Sequence, residues 1–436
     1  MFNAIEYINE PRWQKVSLGL GRITRLLELL GNPHERLKFV HVAGTNGKGS
    51  VCAYLESILR AAGYKTGLFT SPYIERFEER IRVNNKNIDT ESLTAITLRV
   101  KEAAEIVEQE TGEHPTEFEL MTAVAFSYFE QCNCDIVVCE VGLGGRLDST
   151  NAITPEVSVI TKIGLDHTAM LGNTLAEIAG EKAGIIKPET PVVVANQSSE
   201  ALDVVKSVAA KNGCNLVITD TESLQVDDDI SVAGDVLARD FAYKGNTYMT
   251  QLLGDYQPQN AAVAIEVAAQ LGVPDEKIFE GIYFTKWVGR FEVFTENLPC
   301  PVIIDGAHNP DGAAALKHSL QTFSNSLFAS QPVNIIAVFG VLKDKDVPGI
   351  LQNVGDLIDE FVIYEPANPR KMDADDLQKL AEVYAPTRIA SDATSALEIA
   401  IEKVQDAGDY SQNLIVCFGS LYSIGDLRMH LMELAA

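Results

Sequence analysis

The stretch on which the fold turns is Phe39-Val-His-Val-Ala43 running directly into Gly44-Thr-Asn-Gly-Lys-Gly-Ser50. The first part is a β-rich run. A Gly-rich turn follows, and a helix begins near Ser50 with Val51, Tyr54, Leu55, Ile58 and Leu59 spaced as one helical stripe. A strand, a tight turn and a helix in this order put backbone N–H groups at a helix N-terminus, where an anion is favoured. Thr45, Asn46, Gly47, Gly49 and Ser50 form the candidate cradle, and Lys48 can neutralise the β- and γ-phosphates of a nucleotide. The match to the Walker A pattern is imperfect, because Val42 stands where the first Gly belongs and Gly49 replaces Ser or Thr. A plain strand-to-helix turn would share the glycines, but Gly-Lys-Gly-Ser in this context favours nucleotide binding. With no hydroxyl at position 49, a magnesium ion must rely on other ligands.

Outward from this loop the chain alternates short apolar strands with amphipathic helices. Strands are expected at Thr66–Phe69, Ile136–Val141, Val157–Thr161 and Pro191–Ala195, with helices at Thr90–Glu110 and Glu117–Glu130 between them. Continuous apolar strands separated by helices mean a mostly parallel sheet covered on both faces. Residues from about Leu224 to Leu253 are more polar and read as an antiparallel insert closing the first domain. Helix resumes at Gln259–Gln270. Beyond Arg290 the alternation returns, with strands at Val302–Asp305, Asn334–Phe339, Phe361–Tyr364 and Asn413–Phe418 and helices at Gly312–Thr322, Ala374–Glu382 and Ala393–Gln405. The expectation is an α/β protein: a P-loop-containing N-terminal domain with a mostly parallel sheet and a small antiparallel insert, then a smaller α/β C-terminal domain. The boundary is placed near Phe291–Pro299, giving domains 1–295 and 296–436.

At 436 residues, two or three domains are the natural prior. With 35 basic and 61 acidic residues the formal charge is −26, so nucleic acid and anionic membrane are unfavoured partners and an anionic ligand must be met by a few focused cations. The 7 cysteines lack a framework spacing, and Cys132, Cys134 and Cys139 flank an apolar run, which reads as buried thiols rather than a metal cluster. Reduced thiols and the lack of a signal pattern or a membrane-length apolar stretch point to a cytoplasmic protein.

Further motifs run along the chain. They are Leu30-Gly-Asn-Pro33, Thr70-Ser71-Pro72, Glu79-Arg80-Ile81 and Glu140-Val-Gly-Leu-Gly-Gly-Arg-Leu-Asp-Ser-Thr-Asn151, followed by Asp166-His167 and Leu171-Gly-Asn-Thr174. Later come Glu181-Lys182-Ala-Gly-Ile185, Gln257 to Asn260, Gly289-Arg290, Asp305-Gly-Ala-His-Asn309 and Asp344-Lys-Asp346. Together and in this order they resemble folylpolyglutamate synthases and dihydrofolate synthases, relatives of the Mur ligases, over almost the whole chain. Gly-Lys-Gly-Ser, where Mur ligases bear Thr, favours the folate branch.

The resemblance implies an ATP-dependent carboxylate–amine ligase that adds L-glutamate to a folate or dihydropteroate carboxylate through an acyl phosphate. The first domain would be the ATP-binding Mur-ligase-like part with the folate site, and the second the glutamate-ligase part. It implies magnesium, two ions, with Ser71, Glu140 and His167 as ligands and a carbamylated Lys182 supplying oxygens to the second. Asn260 and Arg290 contact the nucleotide, and Asp305 and His308 bring the second domain onto it. Lys48, Lys182, Asp305 and His308 are the catalytic candidates.

On residue chemistry alone, Glu140 ends an apolar run, where a buried carboxylate is costly without a cation. His167 and Lys182 could as well be a structural histidine and a solvated helix lysine. Phe118 and Arg80 in the Tyr73–Arg80 loop are the acceptor-site candidates, and the resemblance implies Asp148 as a third, at a position associated with dihydropteroate. Phe118 could equally be helix core, and Asp148 a loop-turn residue. A Mur-type ligase acting on a nucleotide-linked sugar peptide usually carries a further N-terminal domain, for which the stretch ahead of Phe39 is short. A non-catalytic ATP-binding module would leave Glu140, His167 and Lys182 without a role. A monomer is expected.

Overall fold

The computed structural model describes residues 2–11, 17, 19–233, 236–328, 331–407 and 412–435. Eight strands form the first sheet: β1 (Phe39–Ala43), β2 (Thr66–Phe69), β3 (Ile81–Val83), β4 (Lys86–Asn87), β5 (Ile136–Glu140), β6 (Val157–Ile160), β7 (Val192–Val194) and β8 (Leu216–Ile218). Their order is β4-β3-β2-β5-β1-β6-β7-β8. β3 and β4 are antiparallel additions at one edge, and the remaining pairs are parallel. β1 and β5 are buried along their whole length, which is why both read as unbroken apolar runs. One core cluster on this sheet gathers Leu26, Phe39, Phe69, Phe126 and Phe129. Another gathers Ile160, Ile178, Ile185 and Val205.

Two further sheets follow. β9 (Gln225–Ala233), β10 (Val236–Tyr243) and β11 (Asn246–Thr250) make a three-stranded antiparallel sheet. β12 (Glu292–Phe294), β13 (Val302–Ile304), β14 (Asn334–Phe339), β15 (Glu360–Ile363), β16 (Thr387–Ile389) and β17 (Asn413–Phe418) pair in the order β12-β13-β17-β14-β15-β16. Among the described residues only β12 runs antiparallel in this sheet. Among the described residues no helix is long and apolar enough to cross a membrane. Burial pushes the thiols of Cys52 and Cys139 far above their usual range, as expected of packed core cysteines.

The chain forms two compact units that are not the consecutive blocks 1–295 and 296–436. One is Met1–Leu224 with Gln259–Thr285, and the other is Gln225–Pro258 with Lys286–Ala436. The antiparallel sheet therefore belongs with the C-terminal unit and does not close the first domain. The reason is packing. Ile230 and Leu253 join Phe291, Leu320 and Phe323 in one core. The Ile230 amide donates to Ser326 Oγ (2.9 Å) and the Asp255 amide to Ser319 Oγ (2.9 Å), both acceptors lying on the helix Pro310–Leu327. Buried Arg239 on β10 pairs with Asp255 at 2.5 Å, and Thr322 Oγ1 donates to the same carboxylate at 2.8 Å. The boundary also lies ahead of Phe291, because Glu292–Phe294 is a strand of the C-terminal sheet.

The helix Lys48–Ala61, which starts at the phosphate loop, packs against Asp275–Phe284 closely enough that a Cβ on Gly281 would sit 2.3 Å from Ile58 Cα. Replacing Gly281 by Val gains less than about 1 kcal/mol of helix propensity. Overpacking against backbone costs about 1–3 kcal/mol, so the clash prevails. Gly281→Val is expected to lower the urea midpoint of the first unit, and an unchanged midpoint would show that the two helices part freely.

Candidate functional site

Strand order decides where the site lies. β1 sits between β5 and β6, so the loops leaving the C-terminal ends of all three emerge side by side, the usual ligand position in an open α/β sheet. The first of these is the phosphate loop. Gly44 has φ +154°, and a Cβ there would meet Thr161 Oγ1 at 1.8 Å, so only glycine passes beneath that side chain. The amides of Thr45 and Asn46 donate to Lys162 O (2.8 and 3.1 Å), and Thr161 Oγ1 donates to Asn46 O (2.8 Å). The segment after β6 thus clamps the front of the loop. At its back, Gly47 takes φ +86° and the helix starts at Lys48, whose first turn has N–H groups without intrahelical acceptors. Asn260, on the helix Gln257–Gln270, stands over Gly47, where a Cβ would lie 2.4 Å from its Oδ1.

Two lysines bear on successive carbonyls of this loop. Lys182 Nζ donates to Gly44 O at 2.8 Å, and Lys48 Nζ donates to Thr45 O at 3.1 Å. Lys182 lies on the helix Leu175–Ala183 and is 4% exposed. Burial, with the Lys48 charge as a second cause, brings its pKa down to about 7, only partly offset by Asp166 and Asp148. It is therefore not the solvated helix lysine that composition alone allows.

Glu140 ends β5 and is 4% exposed. Its Oε2 accepts the Ser71 amide at 3.0 Å, which brings together two of the three expected magnesium ligands. His167 takes φ +52°, stays about two-fifths exposed, and pairs with Asp166 at 3.9 Å. Among the described residues no group of three His, Cys, Asp or Glu could by itself hold a metal ion. A buried carboxylate beside a serine nonetheless suits magnesium, which takes hard oxygens and keeps several positions for phosphate and water.

The acceptor candidates cluster around the Gly-rich loop after β5. The Phe118 ring covers Gly142, where a Cβ would lie 2.4 Å from its Cζ, and stands 5.8 Å from the Phe69 ring. The Arg80 guanidinium lies over Tyr73 (5.0 Å) and Phe77 (5.4 Å) and pairs with Glu117 at 3.5 Å. Asp148 is buried and caps the short turn Ser149–Ala152, accepting from Leu143 N (2.8 Å) and Thr150 N (3.0 Å). Burial raises its pKa, while those donors work in the other direction. Glu79, a motif residue to which the sequence assigned no role, accepts the amides of Ile74 (2.9 Å) and Arg76 (3.0 Å) through its carboxylate and so shapes the loop that follows Ser71. Thr161 was read only as the end of a strand. Their signals, a Glu three residues past the amide it caps and a hydroxyl after a strand, are too common to single out.

In the second unit, Asp305 follows β13 and is buried. Its carboxylate accepts Tyr256 Oη–H (2.7 Å), Phe291 N (2.9 Å) and Ala307 N (2.8 Å). Burial raises its pKa, and the Tyr256 hydroxyl and the Arg290 charge oppose that. Arg290 lies over Gly306, where a Cβ would be 2.3 Å from its Nη1. His308 Nδ1 is 2.7 Å from Gly306 O. Arg290, Asp305 and His308 therefore form one cluster within that unit.

Two family models match the chain: the Mur ligase middle domain over residues 42–268 and the Mur ligase glutamate ligase domain over residues 289–421. A dihydrofolate synthase/folylpolyglutamate synthase of Bacillus subtilis is 38% identical over 427 residues, covering 95% of each chain. A folylpolyglutamate synthase of Lacticaseibacillus casei is 36% identical, covering 94% of each. Among solved structures, Mycobacterium tuberculosis folylpolyglutamate synthase complexed with ADP superposes with a TM-score of 0.88 at 31% identity, covering 98% of this chain and 97% of that one. E. coli FolC in complex with DHPP and ADP gives a TM-score of 0.82 at 29% identity, covering 99% and 97%. The phosphate loop, the buried lysine beside it and the two-unit architecture thus agree with the sequence relationship, and the chain belongs to the folylpolyglutamate synthase/dihydrofolate synthase family of Mur ligases.

Proposed function

We propose that this chain is an ATP-dependent ligase that joins L-glutamate to a folate carboxylate, a folylpolyglutamate synthase with dihydrofolate synthase as its second activity. The observation that carries the reading is the pair of lysines, Lys48 and Lys182, on consecutive carbonyls of one phosphate loop. Relatives bearing both activity names match nearly the full chain.

A carboxylate is a poor acyl donor because oxide would have to leave. In the first step a carboxylate oxygen of the folate attacks the γ-phosphorus of ATP, the bond to ADP breaks, and an acyl phosphate forms. The neutral α-amine of glutamate then attacks the acyl carbon, inorganic phosphate leaves, and the amine proton passes to solvent. The helix start at Lys48–Ser50 and the Lys48 ammonium hold the nucleotide phosphates against their own repulsion. Asn260, Arg290, Asp305 and His308 are proposed as further nucleotide groups. Phe118, Arg80 and Asp148 shape the acceptor site. Ser71, Glu140 and His167 would hold magnesium, which would supply charge neutralisation on the phosphates. We read the protein as a cytoplasmic monomer that acts on small molecules.

Lys182 is assigned as the carbamylated residue of this site. A buried amine with its pKa near 7 is substantially neutral at physiological pH, and the neutral amine adds to CO2, giving a carbamate anion and releasing one proton. The product would replace a buried amine by oxygen ligands suited to a second magnesium ion.

With Mg·ATP and glutamate, purified protein is expected to release ADP on addition of either 7,8-dihydropteroate or tetrahydrofolate. Silence with both, from folded protein that still binds ATP, would remove the folate assignment. Lys48→Ala should lower kcat/KM by about 100-fold or more, and an effect within a few-fold would sink its assigned role. Carbamate occupancy falls as the pH drops below about 7, because the amine is then protonated. Activity in bicarbonate-free buffer should therefore decline on the acid side and recover with added bicarbonate. A ¹³C-bicarbonate carbamate signal should be present in the wild type and absent from Lys182→Gln; the same signal in both would exclude this lysine.

A further inference from the structure

His41 occupies the middle of β1 and is fully buried, a place where an apolar residue is the ordinary choice. Its Nε2 lies 2.8 Å from Thr150 Oγ1, and that hydroxyl lies 2.5 Å from Asp148 Oδ1. The direction of the chain follows from counting hydrogens. Asp148 already accepts the amides of Leu143 and Thr150, so its carboxylate acts as an acceptor. Thr150 has a single hydroxyl hydrogen and gives it to Asp148. His41 must then donate, which fixes a neutral imidazole with its hydrogen on Nε2. Burial agrees, holding the His41 pKa down to about 3, and Nδ1 has no hydrogen-bond partner among the described residues.

The far end of this chain of bonds is the turn Gly142–Leu143. Asp148 Oδ2 accepts the Leu143 amide, and Gly142 lies directly under the Phe118 ring. The turn begins two residues after Glu140. Asn151, next to Thr150, ties down the other end: its Nδ2 donates to Arg146 O (2.9 Å) and Gly184 O (3.1 Å), the latter two residues beyond Lys182. Both oxygens of Asp148 are thus engaged by its own chain, so Asp148 is built as a clamp on the loop. An ordinary core histidine would be satisfied by any neighbour. This one is inserted in series with the carboxylate that holds the loop.

We propose that His41 and Thr150 are positioning residues which, acting through Asp148, hold the Gly142–Leu143 turn against Phe118 and so set the fit of the folate acceptor. The proposal rests on the reading that Phe118 lines the acceptor site.

The test is steady-state kinetics on His41→Leu, His41→Gln, Thr150→Val and Thr150→Ser, with each substrate varied in turn. His41→Leu and Thr150→Val should raise KM for tetrahydrofolate or dihydropteroate about tenfold or more, leaving KM for ATP nearly unchanged. His41→Gln, which retains a donor, and Thr150→Ser should recover most of the loss. Folded variants with wild-type acceptor KM, or with equal losses for acceptor and ATP, overturn the proposal. The ¹⁵N-histidine spectrum gives a readout that needs no turnover. His41 should show the Nε2–H tautomer in the wild type near neutral pH, keep it in Thr150→Ser and change in Thr150→Val, while an Nδ1–H tautomer in the wild type overturns the relay. Wild-type protein inactive with both acceptors overturns the functional reading instead, and the spectrum alone then decides the relay.

Discussion

β1 runs between β5 and β6, and this strand order is the constraint on which the site depends. It brings the phosphate loop to the same end of the sheet as Glu140 and Thr161, although roughly a hundred residues separate the loop from them in the chain. Each loop then restrains its neighbour. Thr161 and Lys162 hold the carbonyl and amides of residues 45 and 46, and Lys182 reaches the Gly44 carbonyl from the helix packed beyond. The Gly142–Asn151 segment closes the set, with Gly145 so near that helix that a Cβ would lie 2.8 Å from Glu181 O. The geometry is over-determined by backbone contacts, which is what a site that must hold phosphates without reorganising requires.

Charge burial is the second theme. Glu140, Asp148 and Lys182 are each nearly inaccessible within one unit, and isolated burial of any of them would be strongly unfavourable. The structure resolves the problem differently each time. Asp148 collects donors from its own loop. Lys182 lies against a carbonyl and has its pKa lowered until the neutral form is accessible. Glu140 accepts the Ser71 amide at the place where a divalent cation is expected. In the second unit Asp305 repeats the device of Asp148, gathering donors from Tyr256, Phe291 and Ala307 so that the segments carrying Arg290 and His308 share one anchor.

The long central strands were legible because burial on both faces makes them continuous apolar runs. Phe39–Ala43, Thr66–Phe69, Asn334–Phe339 and Asn413–Phe418 have the expected ends. The short strands at or near the sheet edges, Ile81–Val83, Lys86–Asn87, Glu292–Phe294 and Thr387–Ile389, carried no such signal. Two or three residues, most of them partly exposed, have too little pattern, and they become strands only by pairing with a neighbour already in place. The allegiance of the antiparallel sheet was hidden for a similar reason. Its polar strands gave a hairpin, but Ile230 and Arg239 name their partners only when Phe323 and Asp255 are beside them.

By itself the sequence determined the phosphate loop, the parallel α/β class and the family, because these rest on local order: a strand, glycines, a lysine and a helix in succession, and motifs in sequence. Tertiary structure alone decided which unit Gln225–Pro258 joins, that Lys182 is buried rather than solvated, and that His41, Thr150 and Asp148 form one chain of hydrogen bonds. Burial, and the partner that compensates for it, depend on residues brought together from distant parts of the chain. No local pattern of residue types encodes that proximity.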